Sequence, residues 1–274
     1  MWRCPVLACR RPLRRDPEAV KTWRCQAGHA FDEAKEGYLN LLITHQRRNH
    51  TPGDSSEMIR ARRAFLDAGH YSHLATALTA LVPPSSCVLD AGCGEGSYTR
   101  PWAEAQGATV WGIDIAKVAV RLAARRATAG LGYAVASVYD IPLDDASIDV
   151  AVNVFAPVHS PELARVVRTE GLLLTATPGP DHLAALKALL FAEPDSHDPA
   201  GPLDGAGEAS GFALVHQERV RRDITLSSGA EVADLLGMTP FAWYVDPATR
   251  AAVASLDGLQ TPTDFILSAY RRLP

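Results

Sequence analysis

Three cysteines and one histidine near the amino terminus have the residue types and spacing of a zinc site. Four residues separate Cys4 from Cys9, and three separate Cys25 from His29. Zinc prefers thiolate and imidazole ligands, and two short chelating loops on a hairpin can close a tetrahedral site. Because the protein would fill all four coordination positions, the predicted role is structural. The alternative interpretation is a group of free cysteines that lie together by chance.

A glycine-rich stretch, C-V-L-D-A-G-C-G-E-G at residues 87–96, is the second motif with chemical meaning. It predicts a buried strand that ends near Asp90, followed by a tight turn into a helix. Gly92, Gly94 and Gly96 suit such a turn, because glycine adopts positive φ and lets the backbone approach a ligand closely. The spacing G-x-G-x-G differs from the G-x-G-x-x-G of dinucleotide binders. With its acidic residue before the first glycine, it resembles motif I of class I methyltransferases that use S-adenosylmethionine.

A carboxylate at the tip of the next predicted strand supports this interpretation. Residues 109–113 are largely apolar and end at Asp114, where a side chain can accept both ribose hydroxyls of an adenosine. The alternative role for Asp114 is to cap the helix predicted over residues 117–126.

The remaining pattern alternates strands and helices, as a doubly wound α/β sheet requires. Strands are predicted over the ranges 132–136, 148–154, 171–176, 212–226 and 265–270. We therefore expect an α/β fold of the class I methyltransferase type, Rossmann-like, with a seven-stranded sheet that is antiparallel at one end. The polar stretch 44–53 is predicted to be a flexible linker or an RNA-contacting loop, and the stretch 193–211 is predicted to be a flexible loop or the edge of a lid.

Composition and charge restrict the class of protein. The 274 residues are 47% hydrophobic, and the sequence has no apolar run long enough for a transmembrane helix, so we expect a cytoplasmic protein. The formal charge of −4 is uneven, because residues 1–63 contain thirteen Lys and Arg but seven Asp and Glu. A basic first part on an acidic body suggests contact with a polyanion, although scattered surface charge is the simpler alternative.

We divide the chain into a zinc-ribbon RNA-binding domain at 1–36, a linker and helical connection at 37–84, and a methyltransferase domain at 85–274.

Several sequence blocks together closely resemble the RlmA family of bacterial 23S rRNA guanine-N1 methyltransferases, which includes the tylosin-resistance methyltransferase. Besides the Cys and His pairs and the glycine loop, the blocks are F-D-x-A-K-E-G-Y-x-N-L-L, P-G-D-S-x-E-M, A-R-R-A-F-L-D-A-G-H-Y, A-T-P-G-P-x-H-L and M-T-P-F-A-W. The resemblance spans nearly the whole chain. It implies methylation of guanine N1 in a hairpin loop of 23S rRNA, with S-adenosylmethionine and structural zinc as cofactors and a homodimer as one oligomeric state.

The resemblance and the strand ends together give a set of site residues. Asn153 lies at the end of a predicted strand and Phe155 directly follows it, and they are expected to contact and stack on the target guanine, with a strand-end cap as the alternative role for Asn153. His182 is expected at the cofactor or near the acceptor, or else is only the start of a helix. The residues predicted to bind the cofactor are Tyr71, Asp90, Gly92, Gly94, Glu95, Gly96, Asp114, Ile115, Ser137, Val138 and His182.

Two other functions remain open from the sequence. One is a small-molecule methyltransferase on the same scaffold, and the other is a non-catalytic RNA-binding protein with a vestigial cofactor loop. The sequence also leaves open which guanine is modified and whether the role is housekeeping or drug resistance.

Overall fold

A mixed β-sheet with helices on both faces forms the centre of the protein. The computed structural model describes residues 2–43, 54–192, 202–203 and 210–274. The linker predicted at 44–53 and most of the loop predicted at 193–211 lie outside the described residues. Within the described part, no helix combines the length and the apolar character that crossing a membrane requires.

Five of the predicted strands begin and end within about one residue of the predicted positions, and two extend further at both ends. The described part of the chain contains eleven strands. They are β1 Arg14–Arg15, β2 Thr22–Arg24, β3 Ala30–Asp32, β4 Tyr38–Asn40, β5 Cys87–Ala91, β6 Thr109–Asp114, β7 Leu131–Val135, β8 Ile148–Val154, β9 Val167–Pro178, β10 Phe212–Leu226 and β11 Leu259–Arg272. The helices are α1 Ser56–Asp67, α2 Ser72–Leu81, α3 Thr99–Gln106, α4 Lys117–Arg125, α5 Ser160–Val166, α6 Ala184–Leu190, α7 Gly229–Met238 and α8 Pro247–Ala254, with a 3₁₀ turn at Pro240–Trp243.

The large sheet has the order β4-β7-β6-β5-β8-β9-β11-β10. The pairings from β4 to β9 are parallel, and β11 and β10 are antiparallel to their neighbours. The class I fold and its antiparallel end are therefore confirmed, but the predicted count of seven strands is wrong because the described sheet has eight. The added strand is β4, whose Tyr38 and Leu39 side chains are buried and whose backbone pairs with β7.

Helices cover the sheet where the sequence supplies apolar side chains at helical spacing. Helix α1 buries Ile59 and Phe65, and Ser55 begins it by accepting a hydrogen bond from the Met58 amide at 3.2 Å. Helix α2, which the sequence analysis missed, buries Leu74 and Leu78, one turn apart. Strands covered on both faces have nearly continuous apolar sequences, which is why their positions were predictable.

Residues 2–36, which carry the predicted zinc ligands and are called the zinc segment below, lie directly against the large sheet and its loops. Trp2 and Trp111 meet edge to face with their ring centroids 4.9 Å apart. The Arg3 guanidinium lies 2.7 Å from an Asp145 carboxylate oxygen, and Arg10 pairs with Asp140. Thus part of the positive charge in the first 63 residues forms ion pairs within the protein. The predicted domain boundaries at residues 36 and 84 stay predictions.

Candidate cofactor cleft and zinc centre

The four predicted metal ligands converge in the structure. All four ligand atoms lie within 4.8 Å of one another. The His29 Nδ1 atom is 3.5 Å from Cys4 Sγ and 3.4 Å from Cys25 Sγ, and Cys9 Sγ is 3.6 Å from Cys25 Sγ. Bonds of about 2.3 Å to sulfur and about 2.0 Å to nitrogen would separate the ligands of a tetrahedral zinc ion by about 3.5–3.8 Å. The residues therefore fit zinc.

Local backbone geometry explains how the second ligand pair forms. Cys25 directly follows β2, and His29 directly precedes β3. Between them Gly28 has φ +86° and donates its amide hydrogen to the Cys25 carbonyl at 3.0 Å, which closes the turn. Burial raises the pKa of Cys4 to about 12, so without a cation this thiol keeps its proton. Zinc reverses that preference, because a coordinating thiol is deprotonated.

The glycine loop after β5 combines two closed positions with one open position. Gly92, Gly94 and Gly96 have φ of +90°, +54° and +80°. A Cβ on Gly92 would lie 2.4 Å from the Ala156 Cβ, and one on Gly96 would lie 2.8 Å from the Tyr133 hydroxyl oxygen. A Cβ on Gly94 would meet no described atom within 4 Å. Of the three glycines in this loop, only Gly94 therefore borders open space.

Asp114 connects the second strand to this loop. Its Oδ2 accepts a hydrogen bond from the Gly94 amide at 2.9 Å, and its Oδ1 accepts one from the Ala116 amide at 2.7 Å. Ala116 itself precedes α4 and provides no side-chain cap. Burial raises the Asp114 pKa, although the two amide hydrogen bonds oppose this effect. The carboxylate thus braces the loop, and its contact with ribose stays a prediction.

Glu95 presents an unsatisfied oxygen beside the open glycine. Its side chain is 5% exposed, and its Oε1 accepts a hydrogen bond from the Ser97 hydroxyl at 3.3 Å. Among the described residues, its Oε2 has no hydrogen-bond partner. Burial raises the Glu95 pKa to about 7. An unpartnered buried carboxylate oxygen next to Gly94 fits a ligand that carries positive charge, as S-adenosylmethionine does.

Asp90 has a more structural position. Its Oδ2 accepts a hydrogen bond from the Thr99 hydroxyl at 2.5 Å, which joins the end of β5 to the first residue of α3. Burial raises the Asp90 pKa to about 7, against the effect of the Thr99 hydrogen bond. Nothing in the sequence analysis had indicated a role for Thr99.

Three more residues predicted to bind the cofactor, Ile115, Ser137 and Val138, follow β6 and β7 at the same edge of the sheet. The Ala136 amide donates to the Asp114 carbonyl at 3.0 Å, which keeps the two strand ends together. Ser137 is buried, and its hydroxyl accepts a hydrogen bond from the Tyr139 amide at 3.2 Å. Val138 and Ile115 are half-buried beside these strand ends.

The loop after β8 contacts the glycine loop directly. Asn153 is buried, and its Nδ2 donates to the carbonyls of Ala91 at 3.1 Å and Pro157 at 3.2 Å. Its amide hydrogens are therefore used inside the protein, which favours the strand-end role over direct contact with a guanine. Phe155 has φ +55° and is 44% exposed. A bulky residue in the left-handed region is strained, and such strain is concentrated at functional sites.

An aromatic cluster lies next to Phe155. The His182 ring centroid is 6.2 Å from that of Phe155 and 4.9 Å from that of Phe265. The His182 Nε2 is 3.3 Å from the Tyr71 hydroxyl oxygen, and both side chains are buried. Burial raises the Tyr71 pKa well above its usual value, so the hydroxyl keeps its proton. The structure therefore brings Tyr71, His182 and Phe155 together, although they are far apart in the sequence.

Comparisons with known proteins agree with these two sites. The family described as "RlmA, N-terminal", a zinc ribbon, matches residues 2–50, and the family described as "Methyltransferase domain" matches residues 88–171. The predicted cofactors, S-adenosylmethionine and zinc, are thereby confirmed.

Two solved structures share the fold. A putative Haloferax volcanii methyltransferase, solved with the Trm112 methyltransferase activator, has a TM-score of 0.54 at 18% identity, over 81% of this chain and 100% of that one. A Haemonchus contortus phosphoethanolamine N-methyltransferase in complex with S-adenosyl-L-methionine has a TM-score of 0.51 at 16% identity, over 79% of this chain and 57% of that one.

Sequence relatives define the family more closely. The 23S rRNA (guanine(748)-N(1))-methyltransferase of Streptomyces fradiae is 37% identical over 99% of this chain and 97% of its own length. A putative 23S rRNA (guanine-N(1)-)-methyltransferase of Micromonospora griseorubida is 38% identical over 98% of this chain and 96% of its own length. This chain therefore belongs to the family of 23S rRNA (guanine-N1)-methyltransferases, as its sequence blocks predicted.

Proposed function

We propose that this protein transfers a methyl group from S-adenosylmethionine to N1 of a guanine in a hairpin loop of 23S rRNA. The observation that carries the proposal is the direct contact of β8 and the loop after it with the end of β5 and the glycine loop. Asn153 donates to the Ala91 carbonyl, and Gly92 leaves room for the Ala156 methyl group. One cleft can therefore hold the methyl donor on one side and the base on the other.

The main catalytic task is alignment. Methyl transfer to a ring nitrogen is an in-line displacement, for which holding donor and acceptor in the right geometry supplies much of the rate enhancement. S-adenosylmethionine supplies the electrophilic methyl group when it is bound. We assign the open backbone at Gly94, the carboxylate of Asp114 and the unpartnered oxygen of Glu95 to holding that cofactor, because Asp114 accepts from the Gly94 amide and Glu95 is the next residue in the same loop.

The base would be held by the loop after β8. An unpaired base in an RNA loop can be turned outward and stacked on an aromatic side chain. Phe155 suits this role because its ring is partly exposed while its neighbours Phe265 and His182 are buried. Guanine N1 carries a proton that must pass to water as the methyl group arrives, so hydrogen-bond acceptors at the base edge orient N1 but do not take up its proton. We assign the backbone carbonyls of Phe155 and Ala156 to that edge, and Asn153 to holding their loop.

The RNA partner fits the remaining features. We infer that the zinc segment guides the RNA by contacts with phosphates, which position a nucleic acid without reading its sequence. Exposed side chains on β1, those of Arg14 and Arg15, lie on this segment. We further propose that the protein acts in the cytoplasm, where ribosomal RNA is found, and we keep the homodimer as a prediction.

The decisive experiment uses unmodified 23S rRNA and isotope-labelled methyl donor, followed by primer extension. Methylation at N1 removes a Watson–Crick donor, so reverse transcriptase should stop at one guanine. Phe155→Ala should weaken the stop by about five- to a hundredfold, since stacking on a base is worth about 1–3 kcal/mol. Leu214→Ala is the matched control, because it removes a similarly exposed apolar side chain from β10.

Three outcomes would separate the proposal from its rivals. If wild-type protein gives no stop on any 23S rRNA, the proposal fails. Label transferred to a metabolite instead of RNA would indicate a small-molecule methyltransferase. RNA binding that does not respond to S-adenosylmethionine would indicate a binding protein. Separately, Asp114→Ala should weaken cofactor binding, and an unchanged affinity would remove the ribose assignment.

A further inference from the structure

Asp264 is a fully buried acidic residue in β11, on a strand that is otherwise mostly apolar. Its side chain is 0% exposed. Its polar groups point at the turn formed by residues 179–183, which carries His182. The Asp264 carbonyl accepts from the Gly179 amide at 2.8 Å, and its Oδ2 accepts from the Asp181 amide at 2.9 Å. Its backbone amide donates to His182 Nδ1 at 3.2 Å.

An arginine from the neighbouring strand compensates the buried charge. Arg219 on β10 donates from Nε to Asp264 Oδ1 at 2.7 Å and from Nη2 to Oδ2 at 2.8 Å. The same Nη2 donates to Asp181 Oδ2 at 2.7 Å. Burial alone would raise the Asp264 pKa, but Arg219 holds it below its usual value. The carboxylate therefore stays ionised and keeps accepting from the turn.

The turn at 179–183 packs closely against the Asp264 carboxylate. A Cβ on Gly179 would lie 2.5 Å from Asp264 Oδ2, so only glycine fits at that position. At the other end, Leu183 has φ +56° and donates its amide hydrogen to the Pro262 carbonyl at 2.8 Å. Both ends of the turn are thus fixed to β11, within two residues of Asp264.

These contacts determine the protonation of the His182 ring. Because Nδ1 accepts a backbone N–H, it carries no proton there, so the neutral ring has its hydrogen at Nε2. That hydrogen faces the Tyr71 hydroxyl oxygen 3.3 Å away. The tautomer follows from the partners of the two nitrogens, as is usual for histidine.

We propose that Asp264 is a positioning residue that fixes the orientation and tautomer of His182 at the cofactor cleft. It acts through the turn at 179–183 and, with Arg219, forms a clamp between β10, β11 and that turn. Its effect on methyl transfer rests on the proposed function, whereas its effect on the His182 ring concerns the protein alone. The sequence offered one signal, an aspartate inside the apolar run P-T-D-F-I-L.

The test measures the His182 ring directly. Protein labelled with ¹⁵N-histidine is studied by long-range ¹H–¹⁵N correlation, and His182→Gln identifies the signals. We expect a single Nε2–H tautomer in the wild type, and a shift toward a mixture in Asp264→Asn. Glu170→Gln is the matched control, because it also converts a carboxylate that pairs with an arginine of β11, Arg271, at 3.3 Å. Unchanged His182 signals in folded Asp264→Asn would overturn the proposal.

A second variant covers the case in which the first misfolds. Removing one member of a buried ion pair leaves an uncompensated charge, whereas removing both avoids that cost. The double variant Asp264→Asn with Arg219→Gln should therefore be more stable than Arg219→Gln alone when unfolding is followed by circular dichroism. It should still show a mixture of His182 tautomers. A double variant that folds with the wild-type His182 tautomer contradicts the proposal.

Kinetics separate this inference from the proposed function. A misplacement of about 1 Å in an active site can cost about a hundredfold in rate, so Asp264→Asn should lower kcat for rRNA methylation by at least about tenfold. Glu170→Gln should leave kcat unchanged. If the wild type methylates no rRNA, the proposed function fails, while the tautomer measurement still decides the role of Asp264.

Discussion

The zinc centre and the cofactor cleft are held in place in different ways. At the zinc centre, four ligands within 4.8 Å of one another would be joined by one ion. At the cleft, positions are set by protein contacts alone, such as the Asp114 bond to the Gly94 amide and the Asn153 bond to Ala91. One region depends on a single removable component, and the other depends on many small contacts. Substitutions should therefore affect the two regions differently.

The largest expected effect is loss of zinc. Cys4→Ser removes one of the four ligands and should abolish stable zinc binding. The effect is large because structural zinc contributes about 10–16 kcal/mol of apparent binding free energy in small zinc modules. Hydrogen exchange should then accelerate in residues 2–36 and remain slow in β5 and β6. Cys87→Ser, which changes a cysteine outside the site, should keep one zinc per chain by elemental analysis. Full zinc content in Cys4→Ser would show that the ion is not held as described.

The next largest effect is the loss of stability when a glycine that has no room for a side chain is replaced, compared with a glycine in open space. Gly92→Ala should lower the free energy of unfolding by at least about 2 kcal/mol, since its Cβ would overlap Ala156. Gly37→Ala has a similar φ of +92° in open space, so it should show only the strain, about 1 kcal/mol. Gly94→Ala should resemble Gly37→Ala in stability but weaken S-adenosylmethionine binding at least about tenfold. Urea unfolding and calorimetric titration measure these quantities, and equal stability of the Gly92 and Gly37 variants would refute the overlap.

The pH dependence of cofactor binding should be moderate. Burial raises the Glu95 pKa to about 7, against about 4.3 in an unfolded chain. The folded protein thus keeps the Glu95 proton to higher pH than the unfolded chain does. The free energy of unfolding of the cofactor-free protein therefore falls as the pH rises from about 4 to about 7. Ionised Glu95 should attract the positively charged cofactor, so affinity should rise from pH 6 to pH 8. Titration of Glu95→Gln should show a flatter profile, and an unaltered profile would remove Glu95 from the cofactor site.

The smallest effect concerns the junction between the two regions. Arg3→Ala removes a partly exposed ion pair with Asp145 and should cost about 0.2–1 kcal/mol, less at high salt. Arg271→Ala breaks another exposed pair, with Glu170 at 3.3 Å between β11 and β9, and serves as the control. If only Arg3→Ala speeds hydrogen exchange in residues 2–36, the ion pair stabilises the junction; equal exchange in both variants would argue against that role.

The two regions also differ in how far the sequence predicted them. Cysteine and histidine spacing indicated the whole zinc site, because few side chains bind zinc and short loops limit their geometry. Strand ends indicated most of the cleft, because parallel strands bring their carboxyl ends to one edge. Contacts between distant segments were not predictable from local patterns. Three such contacts depend on the assembled fold: the hydrogen bond from Thr99 to Asp90, the hydrogen bond from the Asp264 amide to His182, and the pairing of Tyr38 with β7.

Strand β4 has a practical consequence for anyone who wishes to shorten this protein. Its three residues cover the outer edge of β7, and the Leu41 amide extends the pairing to the Val135 carbonyl at 2.9 Å. A truncation that starts after residue 42 would leave β7 with unpaired backbone groups at an open edge, which is a template for aggregation. A minimal catalytic fragment should therefore begin before Tyr38, or carry a substitute strand.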